Sequence, residues 1–172
     1  MPAFNQIGTA QVVGAGGAAS IDFTSIPSTY TDLVLKWSIR SAAASWANLS
    51  IKLNNSTSSY TMRYLQGSGS AASSYTATTN PDNLFNGYNP GSGQTASTFS
   101  NGELYLPNYA GSTNKSYSVD NVAETNASTA YMHLVADLWS STSAVNQITI
   151  YDTNGSNLAQ YSTAYLYGIS NA

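Results

Sequence analysis

The side chains able to carry acid–base, nucleophilic or metal chemistry are few. The chain has one histidine, five Lys and Arg, eight Asp and Glu, and no cysteine. Any triad or general base of the usual kind must turn on His133, in the middle of "YMHLVADL". A single histidine inside an alternating strand pattern is more commonly a core-edge or interface residue. No Gly-x-Ser-x-Gly elbow, phosphate-binding loop or His-Glu-x-x-His helix gives it partners. Without cysteine and with one histidine, only an oxygen-ligated calcium site is chemically open. "DTNGSN", residues 152–157, spaces oxygen donors for one, yet its Gly155 is misplaced for an EF-hand loop, and Asn154-Gly155 between two alternating segments reads as a hairpin turn. "GAGGAA", residues 14–19, matches the wording of a dinucleotide fingerprint. "SIDFTSIP" follows at once and leaves no room for the helix that would hold the pyrophosphate, so the stretch reads as a loop. Paired carboxylates for sugar hydrolysis leave no mark in spacing. The expectation is a protein that is not an enzyme, with no catalytic residue, cofactor or metal.

Composition agrees with a binding or structural role. With 27 Ser, 18 Thr and 17 Asn but only 8% charged residues, the surface must be hydroxyl and amide rather than ionic. A net charge of −3 with no basic stripe argues against nucleic acid. No run approaches the ~20 apolar residues of a membrane helix, and "MPAFNQIGTAQVVGAGG" lacks the basic and apolar regions of a signal peptide, so the chain reads as soluble and made in the cytoplasm. Thirteen Tyr, three Trp and four Phe at regular intervals argue for a packed core over disorder.

The elements that must position these residues are strands. In "TDLVLKWSIRS", Leu33, Leu35, Trp37 and Ile39 fall at every second position with Lys36 and Arg40 between them, and similar alternation recurs along the chain. About ten strands follow, at 3–13, 18–24, 32–40, 48–54, 60–66, 102–106, 116–124, 130–138, 146–152 and 160–169. Residues 1–172 read as one all-β domain, an antiparallel β-sandwich of jelly-roll-like form. Lys36, Arg40, Lys52 and Arg63 belong to wet strand faces, with Asp120, Glu124 and Asp137 as cross-strand partners. The stretch 67–102 reads as a long loop insertion, beyond the ~12–15 residues usual for compact domains. Within it "NPDNLF" fits one helical turn, with Asn80 as cap and Pro81 at the first helical position. Tyr75, Phe85, Tyr88 and Phe99, set among Ser, Gly and Asn, suit a partner interface. Alternatively, Phe85 and Phe99 pin the loop to its own sandwich.

"IDFTSIPSTYTDLVLKWSIRS", "ELYLPNYAGSTNKSYSVDNVAETNAS" and "QYSTAYLYGI" together resemble a group of small tailed-bacteriophage proteins common in aquatic phages. The likeness covers most of the chain and is least in 67–102. It implies a virion component on the particle surface, made in the host cytoplasm, and carries no catalytic residue across. Two roles follow. One is a capsid decoration or cement subunit bound to the major capsid protein or another virion protein, working as a homo-oligomer, with a trimer favoured. The alternative is a tail or fibre-tip module whose aromatic loops recognise host cell-surface glycans.

Overall fold

Alternating side chains force an extended chain to bury one face, and "DLVLKWSI" does so: Leu33, Leu35, Trp37 and Ile39 are all buried. A computed structural model describes residues 3–78 and 84–170. Its thirteen strands are β1 (Ala3–Gln6), β2 (Gln11–Val12), β3 (Ser20–Phe23), β4 (Asp32–Ile39), β5 (Ala47–Leu53), β6 (Tyr60–Gly67), β7 (Ala72–Thr78), β8 (Tyr88–Asn89), β9 (Ser100–Pro107), β10 (Lys115–Ala123), β11 (Tyr131–Trp139), β12 (Ile148–Asp152) and β13 (Thr163–Ser170). No helix occurs among the described residues. Every pairing between strands is antiparallel. The large sheet runs β1-β13-β4-β9-β10-β11-β6-β7, with β2 also on β13, and the small sheet runs β3-β12-β5-β8. Side chains from both sheets, among them Leu35, Leu104 and Val135 from one and Ile51, Ile148 and Ile150 from the other, form one core.

The strand count exceeds the ten read from the sequence for two reasons. The run 3–13 is broken at residues 7–10 into two short strands that pair with different parts of β13. The stretch 67–102 is not one loop, because β7 and β8 lie within it. The expected helical turn at Asn80 and Pro81 falls outside the described residues. Asn154-Gly155 does form a turn, with the Gly155 N–H bonded to the Asp152 carbonyl (3.1 Å), but the strands on either side lie in different sheets.

The phase of β11 also differs from a simple hydropathy reading. Tyr131, His133, Val135, Asp137 and Trp139 point inward, and Met132, Leu134 and Ala136 point to solvent. Both phases are apolar, so the neighbours decide: Trp139 lies opposite Tyr60 on β6 and Val135 opposite Val119 on β10, both buried. Asp137 is consequently 2% exposed and cannot be a wet-face partner.

The basic residues divide between two tasks. Lys36 makes the expected cross-strand pair on the wet face, with Glu103 of β9 (2.5 Å) rather than with Asp120, Glu124 or Asp137. Lys52 lies over the Tyr151 ring. Arg40, just past the end of β4, forms no ion pair among the described residues. Its guanidinium donates to the carbonyls of Gly91 (2.6 Å), Gln94 (3.1 Å), Thr95 (2.9 Å) and Thr98 (2.8 Å), so one planar fork shapes the loop before β9. Lys115 is buried and closes the turn before β10 by donating to the Gly111 and Thr113 carbonyls. Arg40→Met removes the donors and strands those four carbonyls. Urea unfolding should show a loss of about 2 kcal/mol, with faster proteolytic cleavage within 91–98, and Arg40→Lys should recover only part of it.

Candidate functional site

Residues 84–89 run beside β5 at the edge of the small sheet and carry Phe85 and Tyr88, two of the four predicted interface residues. Asn86 fixes the segment. Its N–H bonds the Leu49 carbonyl (2.9 Å), its Oδ1 accepts the Ile51 N–H (2.9 Å), and its Nδ2 donates to the buried carboxyl of Asp137 (2.7 Å). Asn121 of β10 makes a second joint. It accepts from the Trp37 indole N–H (3.1 Å) and donates to the Tyr88 carbonyl (3.0 Å). Gly102 lies between Trp37 and Asn121 in the sheet. A Cβ there would stand 2.4 Å from the Trp37 ring, so glycine is required for the indole to reach across.

Flanking Asn86, Phe85 and Tyr88 face each other edge to face at 4.6 Å. The contacts continue from Phe85 to Tyr64 (5.0 Å) and on to Tyr75 (4.8 Å, stacked), and from Tyr88 to Tyr131 (4.5 Å) and on to Trp46 (5.0 Å). His133 sits within this aromatic row, 4.8 Å from Phe85 and 5.4 Å from Tyr88. The structure thus unites Tyr75, Phe85 and Tyr88 through Tyr64. Phe99 is half-buried and makes no ring contact with them among the described residues. Phe85, at 8% exposure, belongs to the core, so its ring pins the segment inward; Tyr88 is half-buried and Tyr75 is 45% exposed at the rim. Tyr64, Tyr131 and Trp46 were not read from the sequence. The signal for Tyr64 and Tyr131 lies in their strands: each shares the inward phase with a buried neighbour, Met62 and His133.

The polar groups of this region are withdrawn from solvent. His133 is 4% exposed, and its Nε2 contacts Gln66 Oε1 (3.2 Å) on β6. Burial lowers its pKa from 6.5 to about 4, so the imidazole is neutral near pH 7. Burial raises Asp137 from 3.8 to about 7, although the Asn86 hydrogen bond pulls it partly back. The same burial holds the neighbouring Tyr117 phenol well above its ordinary value. The carboxylate of Asp152, in the stretch weighed as a calcium loop, is used by the turn: it accepts the Asn154 N–H (2.8 Å) and the Ser41 hydroxyl (3.0 Å).

The opposite face of the same strands has a different character. Met132 (62% exposed), Leu65 (57%) and Leu134 (57%) stand together on the outer surface of β6 and β11, with Val122 of β10 beside them. Three adjoining depressions of about 510, 520 and 490 Å³ cover this face. Arg63, Asp120 and Glu124 border it, and no charged residue lies in the β7 strand that completes it. An apolar centre within a polar rim is the anatomy of a contact surface.

No protein-family model, curated protein or solved structure matches the chain.

The two buried groups give stability opposite pH dependences. Asp137, raised in the folded state, takes up a proton on folding, so its contribution is fully present below pH 3.8 and is lost as pH rises from there through about 7. His133, lowered in the folded state, sheds a proton on folding, so its contribution is present above pH 6.5 and is lost as pH falls towards 4. Between pH 4 and 6.5 they oppose each other, and the wild type should vary little through these two groups. Asp137→Asn should leave a stability that falls with acidification below pH 6.5, and His133→Gln one that falls as pH rises from 4 to 7. Each slope approaches about 1.4 kcal/mol per pH unit in urea titrations.

Proposed function

We propose that this chain is a non-catalytic accessory subunit of a tailed-phage particle, a decoration protein that binds the head shell through the outer face of β6, β10 and β11. The observation that carries the reading is the exposed apolar patch of Leu65, Val122, Met132 and Leu134, which a free monomer leaves in water without return. The resemblance of the strand and turn segments to small phage proteins supports the same context. The one histidine is buried among aromatic rings rather than open to a substrate, which favours binding over turnover.

The strand order supports the jelly-roll form of the sandwich. Setting aside β1, β2, β13 and the β10–β11 hairpin leaves β3-β12-β5-β8 facing β4-β9-β6-β7. The chain passes from sheet to sheet at each step except β6 to β7, as two interlocked Greek keys require. In this reading β10 and β11 are spliced into the large sheet between β9 and β6, and they bring most of the apolar patch with them. Such sandwiches serve many roles, so the assignment rests on the surface and not on the fold.

A second reading has its own observation. Trp46 and Tyr131, both half-buried, meet edge to face at 5.0 Å at the end of the aromatic row, and aromatic rings with one side open suit stacking on sugar faces. It corresponds to a tail or fibre-tip module that binds host glycans.

Labelling the protein on intact virions separates the two: regular copies over the head support decoration, and signal confined to the tail selects the glycan reading. Met132→Glu combined with Leu134→Glu should lower retention on particles about ten-fold or more while the strand-dominated circular dichroism stays unchanged. If retention is unchanged and Trp46→Ala instead reduces attachment to host cells, the decoration reading fails.

A further inference from the structure

The large sheet ends on β7, and the backbone of that strand specifies what can cover it. The β6–β7 hairpin turns at Gly69, with φ +83°, and the Ser68 N–H donates to the Ala71 carbonyl (3.0 Å). Ser68 and Ala71 therefore form the hydrogen-bonded pair nearest the turn. Alternation along the ladder makes Gly67↔Ala72, Leu65↔Ser74 and Arg63↔Thr76 the pairs without mutual hydrogen bonds. The other side of β6 agrees. The Ser140 N–H donates to the Ser59 carbonyl (2.8 Å), which turns the odd-numbered residues of β6 towards β11 and the even-numbered ones towards β7. Hence Ala72, Ser74, Thr76 and Thr78 direct their N–H and C=O groups away from the sheet, unpaired among the described residues.

Soluble proteins protect such an edge with a lysine, a proline, a bulge or a short strand. β7 has seven residues, "ASSYTAT", with neither charge nor proline. The free edge at the other end of the sheet, β1, has only four residues, and the small-sheet edges β3 and β8 have four and two. Among the described residues β7 is thus the longest unguarded edge.

We propose that a second copy of this chain covers β7, pairing antiparallel with it about a two-fold axis at Tyr75 so that the two large sheets become one. The strand is complementary to itself. With Tyr75 opposite Tyr75 of the second copy, Ser74 faces Thr76 and Ala72 faces Thr78. All the outward backbone groups are then matched, giving about eight inter-chain hydrogen bonds with no like charges opposed. Tyr75, 45% exposed and stacked on Tyr64 at 4.8 Å, meets its own copy across the axis. The close, non-hydrogen-bonded position is where cross-strand aromatic pairs touch best. The axis runs perpendicular to the sheet, so the Leu65, Met132 and Leu134 patches of both copies face the same way as one enlarged surface. This interface is a two-fold pair and not the trimer expected from the sequence. It stands whether the protein sits on the head or the tail.

The test is the mass of the purified chain by sedimentation over about 1–200 µM. The wild type should reach twice the 18.1 kDa of the chain, and amide exchange at Ala72, Ser74, Thr76 and Thr78 should slow as the dimer forms. Ser74→Pro removes an outward N–H that the monomer does not use, and should give a monomer with unchanged circular dichroism. Where that variant loses its fold, side-chain variants carry the test. Tyr75→Lys alone and Tyr75→Glu alone oppose like charges and should be monomeric, and mixing the two should restore the doubled mass. A wild type that is monomeric throughout, a trimer, a dimer indifferent to both Tyr75 variants, or a mixture that stays monomeric would each overturn the proposal.

Discussion

Two buried amides hold the molecule's two sheets in register at the end where its surfaces are most distinctive. Asn86 bonds β5 on one side and Asp137 of β11 on the other, and Asn121 ties Trp37 in the large sheet to the backbone of Tyr88 in the small one. A buried amide left unpaired costs about 1–3 kcal/mol, so each joint is strongly directional: the segment between residues 84 and 89 is held where the Asn86 and Asn121 amides find their partners. The aromatic row depends on that position, because Phe85 and Tyr88 flank Asn86 in the chain. Gly102 belongs to the same constraint, since only an empty site between Trp37 and Asn121 lets the indole cross β9.

The sheets were legible where a single apolar phase defined them. In β4 the alternation of Leu33, Leu35, Trp37 and Ile39 with Lys36 and Ser38 sets the core face, although Val34 is buried on the opposite one, and the cross-strand role of Lys36 follows from it. In β11 hydropathy is ambiguous, and the face is chosen by Tyr60, Met62 and Val119 on adjacent strands, which are distant in sequence. β7 escaped notice because its inward residues, Ser73, Tyr75 and Ala77, include little apolar bulk, leaving only the Thr and Tyr strand preference as a signal. Arg40 resembled a strand-face charge because its true partners are backbone carbonyls, which carry no residue-type signature.

The candidate site was legible in part for the same reasons. Aromatic residues in a polar stretch single out Tyr75, Phe85, Tyr88 and Phe99; the first three join one row of rings, and Phe99 makes no ring contact with them among the described residues. Whether an aromatic faces a partner or its own core depends on what closes over it. For Phe85 that is the Tyr64, Tyr88 and His133 rings, two of them on strands of the large sheet. The outer patch was hidden by the usual assumption that the more apolar phase of a strand lies inside.

The scarcity of charge has a consequence for the medium in which such a molecule can persist. Lys36 and Glu103 form the only carboxylate–cation contact within 4.0 Å among the described residues, and pairs at that degree of exposure contribute no more than ~1 kcal/mol. Apart from Lys52 over the Tyr151 ring and the carboxylates of Asp22, Asp32 and Asp152, which accept from neutral hydroxyl or N–H groups, the two sheets are fixed by apolar contact and by hydrogen bonding between neutral groups or to backbone carbonyls, which a Debye atmosphere of counterions weakens little. Fresh water and seawater therefore present this fold with nearly the same free-energy surface, because its cohesion contains almost nothing for dissolved ions to screen.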